Sequence, residues 1–468
     1  MPRKDSKPLP AAPLSIVILA AGRGTRMRSE LPKVMQPLAG APLLAYVMEL
    51  AAQLEPAAVH VVHGHGSERV REHFAAAPVH WVMQSEQLGT GHALLQAMPA
   101  IPDDHRVLVL YGDVPLLRIE SLRELMAAAG ERHLALLTAT MADPTGYGRV
   151  VRDARGAVRR VVEDSDATAR ERTVREVNSG VLTAPAGRLR SWLERLRPRN
   201  AQHEYYLTDV VALALRARTR VVGTRVANTA EIHGVNDKQQ LAAAEAEYRR
   251  RRARELMNQG VTLIDPARLD VRGAVTVGRD VVLDVNVVLQ GPVNLADGVH
   301  IGPNCVLTRA TVGAGTVLHA NCVVQDAAIG GNCQIGPFTR VRPQARLADG
   351  VHLGNFVEIK NSLIGENSKV NHLSYVGDSE VGSDVNVGAG SITCNYDGAN
   401  KWRTQIGSGA FIGSGCMLVA PVSIGEGATI GAGSTVTSDA PADKLTLARS
   451  RQVTIEQWQR PVRNSRKP

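Results

Sequence analysis

Aromatic side chains supply only 3% of this 468-residue chain. Such rings normally dominate a conventional core, so part of the chain must pack small aliphatic side chains repetitively. Cysteine is scarce as well. Cys305, Cys322, Cys333, Cys394 and Cys416 are odd in number, fall late in the chain and form no C-x-x-C pair. That excludes a disulfide framework and argues against structural zinc, and it fits a reducing, cytoplasmic location. No apolar run approaches the roughly 20 residues a membrane-spanning helix needs, so no membrane insertion is expected. Basic Met1–Lys7 followed by apolar Leu14–Ala21 loosely imitates a secretion signal. Three prolines interrupt it and the apolar stretch is short, so secretion is not expected.

The net charge is +9. Basic residues cluster at Arg249–Arg254 and in the tail after Gln459, but few aromatics interleave with them and no zinc-finger or RNA-binding motif appears. Pockets for anionic small molecules are the expected use of this charge, rather than nucleic acid. The length calls for two or three domains.

The first half alternates strands and helices. "SIVILAA" (Ser15–Ala21), "AAVHVVHG" (Ala57–Gly64), "RVLVLYGD" (Arg106–Asp113) and "LALLTAT" (Leu134–Thr140) read as strands. Ala41–Leu54 and Ser121–Ala129 read as helices. This alternation predicts a doubly wound α/β sheet. Asp237–Asn258, rich in Ala, Glu and Arg and free of Gly and Pro, predicts a connecting helix ended by Gln259-Gly260.

After about Val261 aliphatic-Gly pairs recur, as at Ile329-Gly330, Ile335-Gly336, Leu353-Gly354, Ile412-Gly413, Ile424-Gly425 and Ile430-Gly431, with many gaps of six or a multiple of six. A hexapeptide period predicts a parallel β-helix, each six residues forming one flat side of a triangular coil. The aliphatic residue points inward, in a space too narrow for rings. The period breaks at "SITCNYDGANKWRTQIG", where a loop carrying Asn395, Tyr396 and Trp402 must leave the prism, and slips by one residue in "KVNHLSYVGDSEVG".

"LAAGRGTRMRSELPKV" (Leu19–Val34) sets a flexible, basic turn directly behind a buried strand. Gly22 and Gly24 let backbone N–H groups approach phosphate oxygens, while Arg26 and Lys33 add positive charge. "QLGTGHA" (Gln87–Ala93) is a second glycine-rich loop, suited to a base edge. Asp113 in "LYGDVPL" puts a carboxylate at a strand's carboxyl end, a natural Mg²⁺ ligand. "DPTGYGRVV" (Asp143–Val151) is a further glycine turn.

Together "LAAGRGTRM…LPK", "GTGHA", "YGDVPL" and "PTGYGR" resemble the sugar-phosphate nucleotidyltransferases. With "HLSYVGD" and "GAGSITCNYDGANKWRT" the chain resembles the family of bifunctional N-acetylglucosamine-1-phosphate uridylyltransferase/glucosamine-1-phosphate N-acetyltransferases over nearly its full length. The resemblance implies a Rossmann-like nucleotidyltransferase domain over 1–236, a linker helix over 237–260, and a left-handed parallel β-helix with a basic tail over 261–468. It implies UTP, N-acetylglucosamine-1-phosphate, glucosamine-1-phosphate and acetyl-CoA as substrates, Mg²⁺ as cofactor and a homotrimer with acyltransferase sites between prisms.

By the same resemblance Leu19, Ala20, Ala21, Gly22, Gln84, Gly89, Thr90, Tyr111 and Gly112 hold the uridine nucleotide. Arg26 and Lys33 stabilise phosphate charge, and Asp113 and Asn236 bind Mg²⁺. Gly148, Glu163 and Asn178 hold the sugar. In the second half His372 is the base, and Arg342 and Lys360 take the sugar phosphate. Tyr375, Asn386, Asn395 and Tyr396 surround sugar and thioester, while Ala389, Ser414, Ala432 and Arg449 contact acetyl-CoA. Glu358, on the strand face of Lys360, is a candidate to orient the base or the amine. Two departures, Asn178-Ser179-Gly180 for Asn-Thr-Gly and "VMQPL" for a histidine-containing run, touch no phosphate or metal group.

Plainer roles compete with these. The plainer and less favoured readings are packing for Thr90 and Tyr111, a helix cap for Asp113, a surface carboxylate near Arg159 and Arg160 for Glu163, and a structural histidine for His372. At the level of the whole chain, the alternatives are a single-activity nucleotidyltransferase with a scaffolding β-helix, and a non-catalytic nucleotide-sugar binder. Asp113 and Lys33 together weigh against the binder. His372, Arg342, Lys360 and the looped Asn395-Tyr396 together weigh against the scaffold.

Overall fold

A computed structural model describes residues 12–22, 24–64 and 67–462. Met1–Lys7 and the last part of the basic tail lie outside them. The chain divides into two compact units, Met1–Tyr248 and Arg249–Pro468. The expected connecting helix is present as Lys238–Asn258, and the division falls within it.

The first unit is built on β1 (Leu14–Leu19), β2 (Ala58–His63), β3 (His80–Met83), β4 (Arg106–Tyr111), β5 (Leu134–Thr140), β6 (Arg149–Arg152), β7 (Val158–Val162), β8 (Glu176–Pro185) and β9 (Val221–Arg225). The sheet order is β9-β5-β8-β4-β1-β2-β3. β1 is an interior strand, parallel to β2 on one side and β4 on the other, and is almost wholly buried. A strand covered on both faces must be apolar throughout, which is why LSIVIL has no polar alternation. Chain direction switches sides at β1, so a crevice opens beyond the carboxyl ends of β1 and β4.

Along this seven-strand path one strand runs against the others. β8 is antiparallel to β4 and β5, so the sheet is mixed. Its register slips between Asn178 and Leu182, and Gly180 sits there at φ 86. A Cβ on Gly180 would stand 2.6 Å from the Tyr111 ring, so the slip makes room for that side chain. The helix before β5, Ile119–Ala129, starts two residues earlier than the periodicity predicts. It buries Leu122, Leu125 and Ala129 and ends at Gly130, φ 51.

The second unit is a left-handed parallel β-helix of three sheets, with 11, 10 and 9 strands. Ile301 pairs with Leu318 and Leu318 with Ile335, while Ile335 pairs with Leu353. One coil is therefore 17 or 18 residues, three hexapeptides with an occasional deletion. The aliphatic partners of the glycine pairs, including Ile329, Ile335, Leu353, Ile412, Ile424 and Ile430, are all buried and stack into ladders along the prism. Phe338, Phe356 and Phe411 are each half exposed or more. The coil from Val387 to Ile412 is longer than its neighbours because Asn395–Trp402 leaves the prism, closed by an antiparallel bridge between Tyr396 and Lys401.

Leu353 is fully buried between Ile335 and Val370 in its ladder. Leu353→Ala is expected to lower the unfolding free energy of the β-helix by about 2–5 kcal/mol, checked by urea denaturation.

Candidate active sites

The crevice beyond β1 and β4 holds a cavity of ≈ 330 Å³ lined by Leu19, Ala20, Ala21, Gly22, Lys33, Gln84, Gly89, Thr90, Tyr111 and Asp113, together with Gln87 and Glu204. Segments from four places in the sequence meet there because each follows the end of a strand or begins a helix. Leu19 closes β1, Gln84 follows β3, Tyr111 closes β4, and Thr90 opens the helix Thr90–Ala97. Gly112 is buried beneath the cavity; a Cβ there would meet Ala20, Leu44 and Val34 at 3.2–3.3 Å. Gly24 adopts φ 62, and a Cβ on it would lie 2.5 Å from the Cβ of Lys33, so glycine is required where the turn folds back on the lysine.

The Lys33 ammonium donates to Asp113 Oδ2 and, at 3.1 Å, to Asn236 Oδ1. Lys33 and Asp113 are each only about an eighth exposed at their side chains. The motif after β1, the end of β4 and the segment before the linker helix thus converge on one charged cluster. Arg26 does not join it. It lies exposed on the short helical turn Thr25–Met27, outside the cavity lining. Gln84 donates to the Gly89 carbonyl at 3.3 Å and lies 3.1 Å from His92 Nδ1, which fixes the amide's orientation.

Gly148, Glu163 and Asn178 gather beside Tyr111. A Cβ on Gly148 would stand 3.2 Å from Glu163 Oε2, and the Asn178 backbone N–H donates to the Gly148 carbonyl at 2.8 Å. The Asn178 side-chain oxygen is buried without a hydrogen-bond partner. Such an orphaned acceptor is costly unless a ligand donor meets it. Burial pushes the Glu163 carboxyl above its usual range, with the nearby aspartates adding to the effect against a hydrogen bond from Thr208. Burial likewise raises the Tyr111 phenol, helped by Glu163 and Asp113.

In the second unit one edge of the prism collects the predicted residues in a column. The Gly390 N–H donates to the His372 carbonyl, that of Gly415 to Ala389, and that of Gly433 to Ser414, while Arg449 Nη1 donates to the Ala432 carbonyl at 2.7 Å. His372, Ala389, Ser414 and Ala432 therefore occupy the same corner in successive coils, which no motif reading reveals. His372 Nδ1 lies 3.0 Å from Asn355 Oδ1, one coil below. An amide oxygen only accepts, so in this contact Nδ1 carries the proton, and in the neutral ring Nε2 is then the acceptor.

On a neighbouring face Arg342 Nη1 donates to Glu358 at 2.6 Å, and Lys360 stands against Lys401. That like-charged contact lowers the Lys360 ammonium. Glu358 is therefore engaged by Arg342. Asn395 donates to Asp378 and, at 3.4 Å, to Tyr375 Oη, which anchors the start of the extruded loop. Inside the loop Asp397 accepts from Ala399, Asn400 and Trp402, and these bonds bring its carboxyl down to about 2. Tyr396 is exposed, and Asn386 lies on the strand paired with Lys369. Lys401 and Asn355 are the additions. Lys401 lies inside the extruded loop, and Asn355 is legible only once the coil length is known.

A phosphate-suited cavity at a doubly wound switch point, joined in one chain to a hexapeptide prism with a poised imidazole, defines a bifunctional transferase. Residues 16–181 match the MobA-like NTP transferase domain, and residues 403–438 match the bacterial transferase hexapeptide (six repeats). The chain is 60% identical over 448 residues to the bifunctional protein GlmU of Alkalilimnicola ehrlichii, covering 96% of both proteins. It is 56% identical to that of Aromatoleum aromaticum, covering 96% of this chain and 99% of the relative, and 55% identical to that of Stenotrophomonas maltophilia, covering 97% and 99%. The chain belongs to the family of bifunctional GlmU proteins. It is an enzyme that transfers acetyl from acetyl-CoA to glucosamine-1-phosphate and uridylyl from UTP to N-acetylglucosamine-1-phosphate.

Gly89 holds φ 107, and a Cβ on it would lie 2.8 Å from the Tyr205 carbonyl. Gly89→Ala is expected to cost about 1–3 kcal/mol of first-unit stability and to weaken UTP binding, checked by thermal unfolding and titration calorimetry.

Proposed function

We propose that uridylyl transfer takes place in the cavity beyond β1 and β4, and acetyl transfer on the prism edge bearing His372. The convergence of Lys33, Asp113 and Asn236 at the cavity carries the first assignment. There the backbone of Ala20–Gly22 and the loop Gly89–Thr90 cradle the nucleotide, and Gly148, Glu163 and Asn178 take the sugar. A phosphate oxygen of N-acetylglucosamine-1-phosphate attacks the α-phosphorus of UTP, the bond to the β-phosphate oxygen breaks, and pyrophosphate leaves. The attacking group is already anionic, so no side-chain base is needed. Lys33 offsets the charge repulsion, and Arg26, exposed outside the cavity lining, adds positive charge only from a distance.

Asp113 and Asn236 present a carboxylate and an amide oxygen toward one point that a cation, the Lys33 ammonium, already satisfies. Two hard oxygen donors beside substrate phosphates suit Mg²⁺, so these residues would hold it. When bound, Mg²⁺ supplies further neutralisation of phosphate charge.

At the second site the substrate amine attacks the acetyl-CoA thioester. His372 Nε2 accepts the amine proton and passes it to the departing thiolate, while Asn355 holds Nδ1–H. Arg342, Lys360 and Lys401 receive the sugar phosphate. Tyr375, Asn386, Asn395 and Tyr396 surround the reacting groups, and the column Ala389, Ser414, Ala432 with Arg449 lines the acetyl-CoA. A purely scaffolding prism has no use for this set.

The chain assembles as a homotrimer through the same edge. Phe338, Phe356 and Leu373 stand at successive corners in the left-handed region, φ 57, 58 and 49, and are more than half exposed. The two rings stack at 5.4 Å. Bulky residues in that conformation are costly, and an exposed apolar ridge marks an association surface. No helix among the described residues is long and apolar enough to cross a membrane, and the free cysteines suit the cytoplasm.

His372→Ala is expected to abolish acetyl transfer while uridylyl transfer stays near wild type, and Asp113→Ala to do the reverse. Separate assays of the two half-reactions, with mass spectrometry of UDP-N-acetylglucosamine, check this; equal loss of both by either variant would refute two separate sites. Phe356→Glu is expected to give monomers by light scattering, with acetyl transfer lost and uridylyl transfer kept.

A further inference from the structure

The segment "HEYYLTDV" (His203–Val210) touches both parts of the first site. On one side it clamps the nucleotide loop. The Tyr205 N–H donates to the Leu88 carbonyl and the Gly91 N–H to the Tyr205 carbonyl, each at 2.8 Å, while the Leu207 N–H donates to Thr90 Oγ1 at 3.2 Å. On the other side the short helical turn Leu207–Asp209 presents Thr208, whose hydroxyl donates to Glu163 Oε1 at 2.8 Å. The second oxygen of Glu163 faces Gly148.

Glu163 needs that donor. It is half-buried, and Asp209, Asp166 and Asp164 all oppose its charge. A carboxylate without an orienting partner there would rotate or take up a proton.

We propose that Thr208 is a positioning residue for sugar recognition: by holding one oxygen of Glu163 it turns the other toward the hydroxyls of the hexose phosphate. Through Leu207 and Thr90 the same strap fixes the distance between that carboxylate and the nucleotide loop. The proposal rests on the assignment of Glu163 to the sugar.

Thr208→Val, which removes the donor at nearly constant volume, Thr208→Ser and Glu163→Gln in the full chain form the test. Thr208→Val is expected to raise KM for N-acetylglucosamine-1-phosphate by about tenfold, with kcat and KM for UTP within about twofold. Losing the donor raises the Glu163 carboxyl further, so the acid limb of kcat/KM for the sugar phosphate should move to higher pH. Thr208→Ser should restore both. If Glu163→Gln raises the sugar-phosphate KM and Thr208→Val does not, the role of Thr208 is overturned and the Glu163 assignment stands. If Glu163→Gln leaves that KM unchanged, the assignment itself fails. Equal rises in both substrates' KM with Thr208→Val, or no rescue by serine, would mean that the strap only supports the fold.

Discussion

A half-sunken positive charge organises the first unit. Lys33 lies 80 residues from Asp113 and 203 from Asn236 in sequence, and its ammonium is shared between them. A charge withdrawn from water must be met by opposite charge and polar partners, or it is expelled. That requirement pins the basic turn to the end of β4 and to the segment leading into the linker helix. Gly24 follows from it, since any side chain there would collide with Lys33. So does the buried Gly112, which lets Asp113 emerge between Ala20 and Val34.

The second unit obeys a different constraint. Its coils repeat every 17 or 18 residues, so anything on one corner stands above and below whatever lies one coil away. Periodicity thereby becomes a positioning device. Asn355 orients His372 because they are consecutive rungs, and Ala389, Ser414 and Ala432 continue the same edge. The prism interior is narrow and aliphatic, and large groups are left to the outside. The exposed Phe338 and Phe356 sit where asparagine or glycine relaxes the corner elsewhere, as at Asn304, Asn321 and Gly390. A strained, solvent-facing ring is tolerated where another surface covers it.

The proposed assignments give the two units different means of holding an anion. The α/β unit uses backbone amides and one semi-buried lysine at a sheet crevice. The prism uses side chains on flat faces, Arg342 with Glu358 and Lys360 against Lys401, and a loop that leaves the coil to bring Lys401 there. Glu358 accepts from Arg342 at 2.6 Å, so its carboxylate meets a guanidinium on the adjacent coil.

The sequence by itself determined the periodic architecture and marked most of the residues that meet in the first cavity. Hexapeptide spacing encodes the ladder directly, because inward-facing positions recur at fixed intervals. Glycine-rich turns behind apolar strands encode phosphate cradles for the same local reason. Only the tertiary structure decided what depends on distant segments meeting: the antiparallel course of β8, whose slip at Gly180 houses Tyr111; the exposed station of Arg26; the engagement of Glu358 by Arg342; and the strap that joins Thr90 to Glu163 through Thr208. Apart from Arg342 and Glu358, which face each other across adjacent coils, these features depend on segments whose separation in sequence follows no period, so no local pattern records them.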